Sequence, residues 1–255
     1  RNLYGGSYTQ FANILPQLGI EVRFVDSTDP ANFAKVADDK TRAFFTETVS
    51  NPALEIADIR AIADSAHALG LPLIVDSTFT TPALLRPIEC GADIVVHSLT
   101  KWLGGHGTSI GGIVIDSGKF NWAGGKHPLY DEPDTSYHGL RWGHDLPAPL
   151  APLAYILRMR TVPLRNLGAC LSPDNAWAIL QGVETLPLRM ERHCKNSLDV
   201  AKHLKAHAKV DWVRYPGLES DPEFEKNKDY LGGKGGPMVV FGIKGGADAG
   251  KKFIE

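Results

Sequence analysis

The sequence predicts an α/β protein built on a mostly parallel central sheet. Short apolar runs in the first half end in polar or acidic residues, helical patterns lie between them, and the runs are nearly continuous rather than alternating. Continuous hydrophobicity is what strands buried on both faces require, and helices covering both sides of a parallel sheet bury them that way.

The expected strands are GIEVRFVD (19–26), TRAFFTE (41–47), LPLIVDS (71–77), ADIVVHS (92–98) and GGIVID (111–116). Between two of them the spacing predicts a helix over 55–70. Ile56, Ile59, Ile62, Ala63, Ala66 and Leu69 share one face, Glu55 and Asp58 fall in the first turn, and Gly70 closes it. LYGGS (3–7) reads as a turn. Residues 118–152 are rich in Gly, Pro, Trp, Tyr and His without a period, which predicts a long ordered loop of the kind that often carries function. Ser172-Pro173-Asp174 is an N-cap with proline at the first helical position, and the helix it starts is broken or kinked at Pro187. Met190, Cys194, Leu198, Ala201, Leu204 and Ala208 then continue an apolar face. VDWVRYP (210–216) and PMVVFGIK (237–244) read as strands of a second, smaller unit. The expected organisation is a large domain over 1–150, connecting helices over 151–208 and the start of a small C-terminal α/β domain over 209–255.

Composition excludes several classes. With 27 basic and 29 acidic side chains the net charge is −2, which offers no electrostatic footprint for nucleic acid. No apolar stretch nears the roughly eighteen residues of a membrane helix, so no membrane partner is expected. Cys90, Cys170 and Cys194 are odd in number and widely spaced, which fits a reducing, cytoplasmic setting and small buried hydrophobes. His97, His106, His127, His138 and His144 lack metal-ligand spacing, so no metal is expected. No GK[ST] phosphate loop occurs. The chain opens on Arg1 rather than Met and ends in what reads as the first turns of a helix, which suggests a piece of a longer protein.

Chemistry concentrates in HSLTKWLGGHG (97–107). Ser98 and Thr100 lie two apart, on one face if extended geometry persists, and Gly104, Gly105 and Gly107 follow; the set could hold an anion such as phosphate. Lys101 beside them is a point charge for that anion, an amine for a Schiff base, or an ordinary exposed lysine at a strand exit. Asp76 ends an interior apolar run, where ligands sit in open α/β sheets, and needs a cationic partner, or else caps the following loop. A protonated pyridine nitrogen would serve, and an Asp on that nitrogen together with a Lys Schiff base describes a pyridoxal phosphate site. Glu47 and Asn51 in ETVSNP end another strand, and Tyr4 ahead of two glycines could lie flat on a planar group.

With LYGGSY, ETVSNP, IVDSTFTTP, GADIVVHSLTKW and SPDNAWAILQGVETLPLRM in place, the chain resembles the Cys/Met-metabolism family of pyridoxal-phosphate enzymes, of the aspartate-aminotransferase-like fold (fold type I). TKWLGGHGTSIGGIVIDSGKF, PDTSYHG and GACLSPDNAW are similar to its O-acetylhomoserine sulfhydrylase branch. The resemblance implies that Lys101 carries pyridoxal 5'-phosphate as a Schiff base and is the general base and acid, with Tyr4 assisting. Ser98 and Thr100 would bind the phosphate, Asp76 the pyridine nitrogen and Asn51 the phenolic oxygen. Thr78 would pack near the ring, Tyr4 would stack on it, and Glu47 lies in the same block. The implied reaction replaces acetate on O-acetylhomoserine with sulfide, giving homocysteine; the alternatives are cystathionine γ-synthase or γ-lyase chemistry, or a truncated non-catalytic relative. Gly6 stands where the methionine γ-lyase members carry cysteine, which counts against the lyase. The resemblance also implies a homo-oligomer, a dimer of dimers, with a phosphate-gripping segment before Arg1 and a substrate-carboxylate arginine after Glu255.

Overall fold

The computed structural model describes residues 2–255. Four strands, β1 (Phe44–Glu47), β2 (Leu73–Asp76), β3 (Ile94–Ser98) and β4 (Gly112–Asp116), form one sheet in that order. β1, β2 and β3 run parallel, while β4 returns antiparallel to β3. β5 (Val210–Arg214) and β6 (Val240–Ile243) form a separate antiparallel pair. The helices that matter here are α1 (Gly5–Thr9), α2 (Ala31–Val36), α3 (Ile59–Ala68), α4 (Ala154–Met159), α5 (Pro173–Glu184), α6 (Leu186–Ala206), α7 (Phe224–Leu231) and α8 (Gly246–Ile254). Among the described residues no helix is long and apolar enough to cross a membrane.

Side chains alternate across the large sheet, and each face has its own cover. Phe44, Leu73, Val75 and Val95 bury against Ile59, Ile62, Ala63 and Ala66 of α3. Ile74, Ile94, Val96 and Val114 face the other way, onto Trp122, Tyr130, Trp142 and Ala154. β1, β2 and β3 therefore read as unbroken apolar runs because each layer takes every second residue, whereas Ile113 and Ile115 of β4 are exposed.

Several expectations need correction. Residues 20–26 form no strand. A cavity of about 670 Å³, lined by Ile20, Val22 and Phe24 on one side and Phe45 of β1 on the other, separates this segment from the sheet, so no ladder joins them. The helix expected over 55–70 begins at Ile59: Ile56 is instead bridged to Val49 in extended conformation, and Asp58 is the N-cap. Gly5 and Gly6 open α1 rather than a turn, with Tyr4 at its N-cap. The stretch 118–152 is largely structural. Trp122 stacks on Tyr130 (4.5 Å between ring centroids) and on Tyr155 (5.1 Å), closing the sheet's second face. Of the cysteines only Cys194 is buried; Cys170 is exposed and Cys90 half-buried.

Elsewhere the local signals operate as read. The Ser172 hydroxyl accepts from Asn175 N–H at the start of α5, and Thr185 separates α5 from α6 just ahead of Pro187. Asp58 does two jobs, accepting from Ala61 N–H (3.1 Å) and from the Tyr230 hydroxyl of α7 (2.6 Å), so the start of α3 is joined to a remote helix. Asp58→Ala removes a cap and leaves the buried Tyr230 hydroxyl without its acceptor, while Arg60 N–H still donates to it. Chemical denaturation should show a loss of about 1–2 kcal/mol.

Candidate active site

Parallel pairing sets the site. Glu47 of β1 lies opposite Asp76 of β2, and Asp76 opposite Val96 of β3, so the carboxyl ends of three strands share one edge. The exits are stitched together by side chains. Asp76 Oδ1 accepts from Thr78 N–H (2.8 Å), and Thr78 Oγ1 accepts from Ser98 N–H (2.8 Å), tying the end of β2 to the end of β3. Beneath them, Ser77, Thr80 and Thr48 form a buried chain of hydroxyls at 2.9 and 3.1 Å.

Beyond Ser98 the chain does not stay extended. Leu99–Leu103 is a wide helical turn in which Gly104 N–H donates to Leu99 O (2.9 Å) and Gly105 N–H to Lys101 O (2.8 Å). Ser98 and Thr100 therefore do not share an extended face. The amides of Gly104 and Gly105 close the turn rather than facing an anion. Thr100 Oγ1 accepts from Gly111 N–H (3.1 Å), fastening the turn to the chain entering β4. Lys101 sits at φ −90°, ψ −128°, outside the helical and extended regions. Its side chain is exposed, and Nζ lies 6.0 Å from the centroid of the Tyr4 ring.

Tyr4 is held from below. Its backbone N–H donates to Glu47 Oε1 (2.9 Å). Glu47 is buried, and burial together with the neighbouring Asp76 charge pushes its pKa up to about 7, although Tyr4 N–H, the Ser7 hydroxyl and Asn51 N–H stabilise its anion. Asn51 lies in the turn after β1, half-buried. His97, inward on β3, is kept below its ordinary pKa by burial, an effect that the Asp76 charge opposes. The edge thus gathers Tyr4, Glu47, Asp76, Thr78, Ser98 and Lys101, with Asn51 and Thr100 flanking it.

The sequence reading assigned no role to Ser7 or Arg189. From α6, Arg189 Nη1 donates to Trp102 O (2.8 Å), Nη2 to Leu103 O (3.3 Å) and Gly182 O (2.6 Å), and Nε to the Thr185 hydroxyl (3.1 Å). Thr185 and Gly182 lie just before Arg189 in the chain, but the partners that tie these two residues to the site, Glu47 for Ser7 and Trp102 and Leu103 for Arg189, lie in other segments.

The profile described as Cys/Met metabolism PLP-dependent enzyme matches residues 1–255. The chain belongs to this family. As a family member it is 53% identical over 259 residues to an O-acetyl-L-homoserine sulfhydrylase of Leptospira meyeri, covering all of this chain and 59% of that protein. It is 46% identical to a homocysteine synthase of Schizosaccharomyces pombe, covering 99% of this chain and 59% of that protein. A crystal structure of a putative O-acetylhomoserine (thiol)-lyase from Campylobacter jejuni superposes with a TM-score of 0.90 at 37% identity. The match covers 96% of this chain and 60% of that one, which carries a pyridoxyl-lysine phosphate at its position 205. An O-acetylhomoserine sulfhydrylase of Wolinella succinogenes gives a TM-score of 0.80 at 36% identity, with 95% and 66% covered. The chain thus spans about 60% of the length of the curated relatives it matches.

The Glu47 carboxyl generates a pH prediction. Its folded pKa lies above the ordinary glutamate value of 4.5, so the folded state binds its proton more tightly. The stabilisation is fully present below pH 4.5 and is lost as pH rises towards and through 7. Glu47→Gln should flatten this decline by at most about 3 kcal/mol, at 1.36 kcal/mol per unit, in urea melts between pH 4.5 and 8.

Proposed function

We propose that the protein replaces the acetyloxy group of O-acetyl-L-homoserine with sulfide, yielding homocysteine and acetate, using pyridoxal 5'-phosphate. The observation that carries this reading is the facing pair at the sheet edge: the Lys101 amine 6.0 Å from the Tyr4 ring, with Asp76 at the adjoining strand end. The names of the relatives, sulfhydrylase and homocysteine synthase, support the substrate and the acceptor.

The donor set fits the cofactor. An aromatic face, an amine within reach of it, a half-buried carboxylate and hydroxyls at the strand exit are the chemistry a phosphorylated pyridine aldehyde requires. Lys101 would hold it covalently, Asp76 would accept a hydrogen bond from its ring N–H and so keep that nitrogen protonated, and Tyr4 would lie against its plane. Ser98 and Thr100 would bind its phosphate, Asn51 its phenolic oxygen, and Thr78 would border the ring. When bound, pyridoxal phosphate supplies an electron sink for the bonding pair left when a proton departs from the substrate.

The residues of the chain do the rest. The amine of Lys101 takes the proton from Cα and then moves protons at Cβ, acting in turn as base and acid. Its exposure lets substrate approach it, and the anchored turn keeps it on the side of the edge where Tyr4 stands. The Tyr4 hydroxyl assists proton transfer. Acetate leaves Cγ with the C–O bonding pair, hydrosulfide forms the C–S bond at the same carbon, and charge balances because one monoanion replaces another. The amino-acid substrate and sulfide are the partners we assign. We further assign 1–150 to cofactor binding, 209–255 to a second unit, a cytoplasmic setting and a homo-oligomeric assembly, as in the family reading above.

The test uses the full-length protein. Lys101→Ala should lower sulfide-dependent homocysteine formation by at least about 10³-fold, the scale of a lost proton-transfer group. Borohydride reduction of the wild type should leave a pyridoxyl adduct on the peptide containing Lys101. Cysteine outperforming sulfide as acceptor, or release of product with no acceptor at all, would sink the assigned reaction.

A further inference from the structure

The last carbonyls of a helical turn have no partner within the turn. In the turn that carries Lys101 these belong to Trp102 and Leu103, and Arg189 supplies a donor to each. The same guanidinium reaches Gly182 O on α5 and the Thr185 hydroxyl between α5 and α6. One side chain thus joins the Lys101 turn to a helix corner some eighty residues further along the chain. Arginine suits the task because its donors are fixed in one planar fork, whereas a lysine ammonium is a single point.

A second contact presses the same two parts together. Gly182 lies so close to Gly104 that an added Cβ would overlap the Gly104 carbonyl. Opposite, the Thr100 hydroxyl holds Gly111 N–H. Lys101 is thus flanked by an anchor on each side of the kink at which its backbone leaves the helical conformation (φ −90°, ψ −128°).

We propose that Arg189 is a positioning residue: by fixing the carbonyls of Trp102 and Leu103 it fixes the backbone of Lys101 and so directs the amine towards Tyr4. The consequence for turnover rests on the role given to Lys101 above.

The test compares full-length wild type, Arg189→Ala and Arg189→Lys. Without cofactor, amides over 99–105 should exchange about tenfold faster in Arg189→Ala, as expected from losing charge-assisted hydrogen bonds, while those of α3 keep wild-type rates. With cofactor, kcat should fall about tenfold with KM within about twofold, as for an interaction that matters at the chemical step. Arg189→Lys should lie between, and it carries the comparison alone if Arg189→Ala does not fold. Unchanged exchange over 99–105, or equal acceleration there and in α3, overturns the clamp. A borohydride adduct on a lysine other than Lys101 would instead remove the catalytic reading and leave the exchange result to judge the clamp.

Discussion

Parallel strand pairing is the constraint on which the rest depends. Strands that run the same way finish at the same edge, so Glu47, Asp76 and Ser98, separated by 29 and 22 positions in the chain, arrive together. Everything polar in the site hangs from that edge or is tied to it. The apolar layers on the two faces determine which residues point inward, and the strand exits let polar side chains gather without being buried alone. β4 breaks the pattern by returning antiparallel. Its return makes the chain between Leu99 and Gly111 an excursion with both ends hydrogen-bonded at its base, Leu99 N–H to Gly111 O.

Much of this was legible where the signal is local. The runs ending at Glu47, Asp76, Ser98 and Asp116 are strands, the first three marked by the apolar composition that burial on both faces demands, and the Ser172 cap works through a contact three residues away. Residues 20–26 have the same composition without forming a strand, since a ladder also needs a neighbour, and a cavity intervenes between this segment and β1. The late start of α3 has a comparable cause. Ile56 fits the helical face by spacing, but its bridge to Val49 and the Asp58 cap satisfy the backbone better in extended form. The aromatic content of 118–152 signalled order, and Trp122, Tyr130 and Trp142 supply it by packing against the sheet's second face.

The candidate site divides along the same line. Asp76 and Lys101 stand out because each ends or follows an apolar run. The ties that hold them, Thr78 to Ser98, Thr100 to Gly111 and Arg189 to Trp102, join positions 20, 11 and 87 residues apart, and nothing in a window of sequence shows them. The glycines after Lys101 illustrate the hazard of a local reading. They look like a phosphate cradle, yet the amides of Gly104 and Gly105 are consumed in closing the turn.

One tension in the edge explains the arrangement of Tyr4. Burial of the Glu47 carboxyl, with a smaller contribution from the Asp76 charge at the paired position, pushes its pKa up to about 7. A replacement by an apolar side chain would remove the buried carboxyl but leave Tyr4 N–H without its acceptor. The carboxyl that weakens the fold at neutral pH is therefore the one that fixes the start of α1. It thereby sets the aromatic ring opposite the Lys101 amine, so local stability is exchanged for the placement of a ring 6.0 Å from that amine.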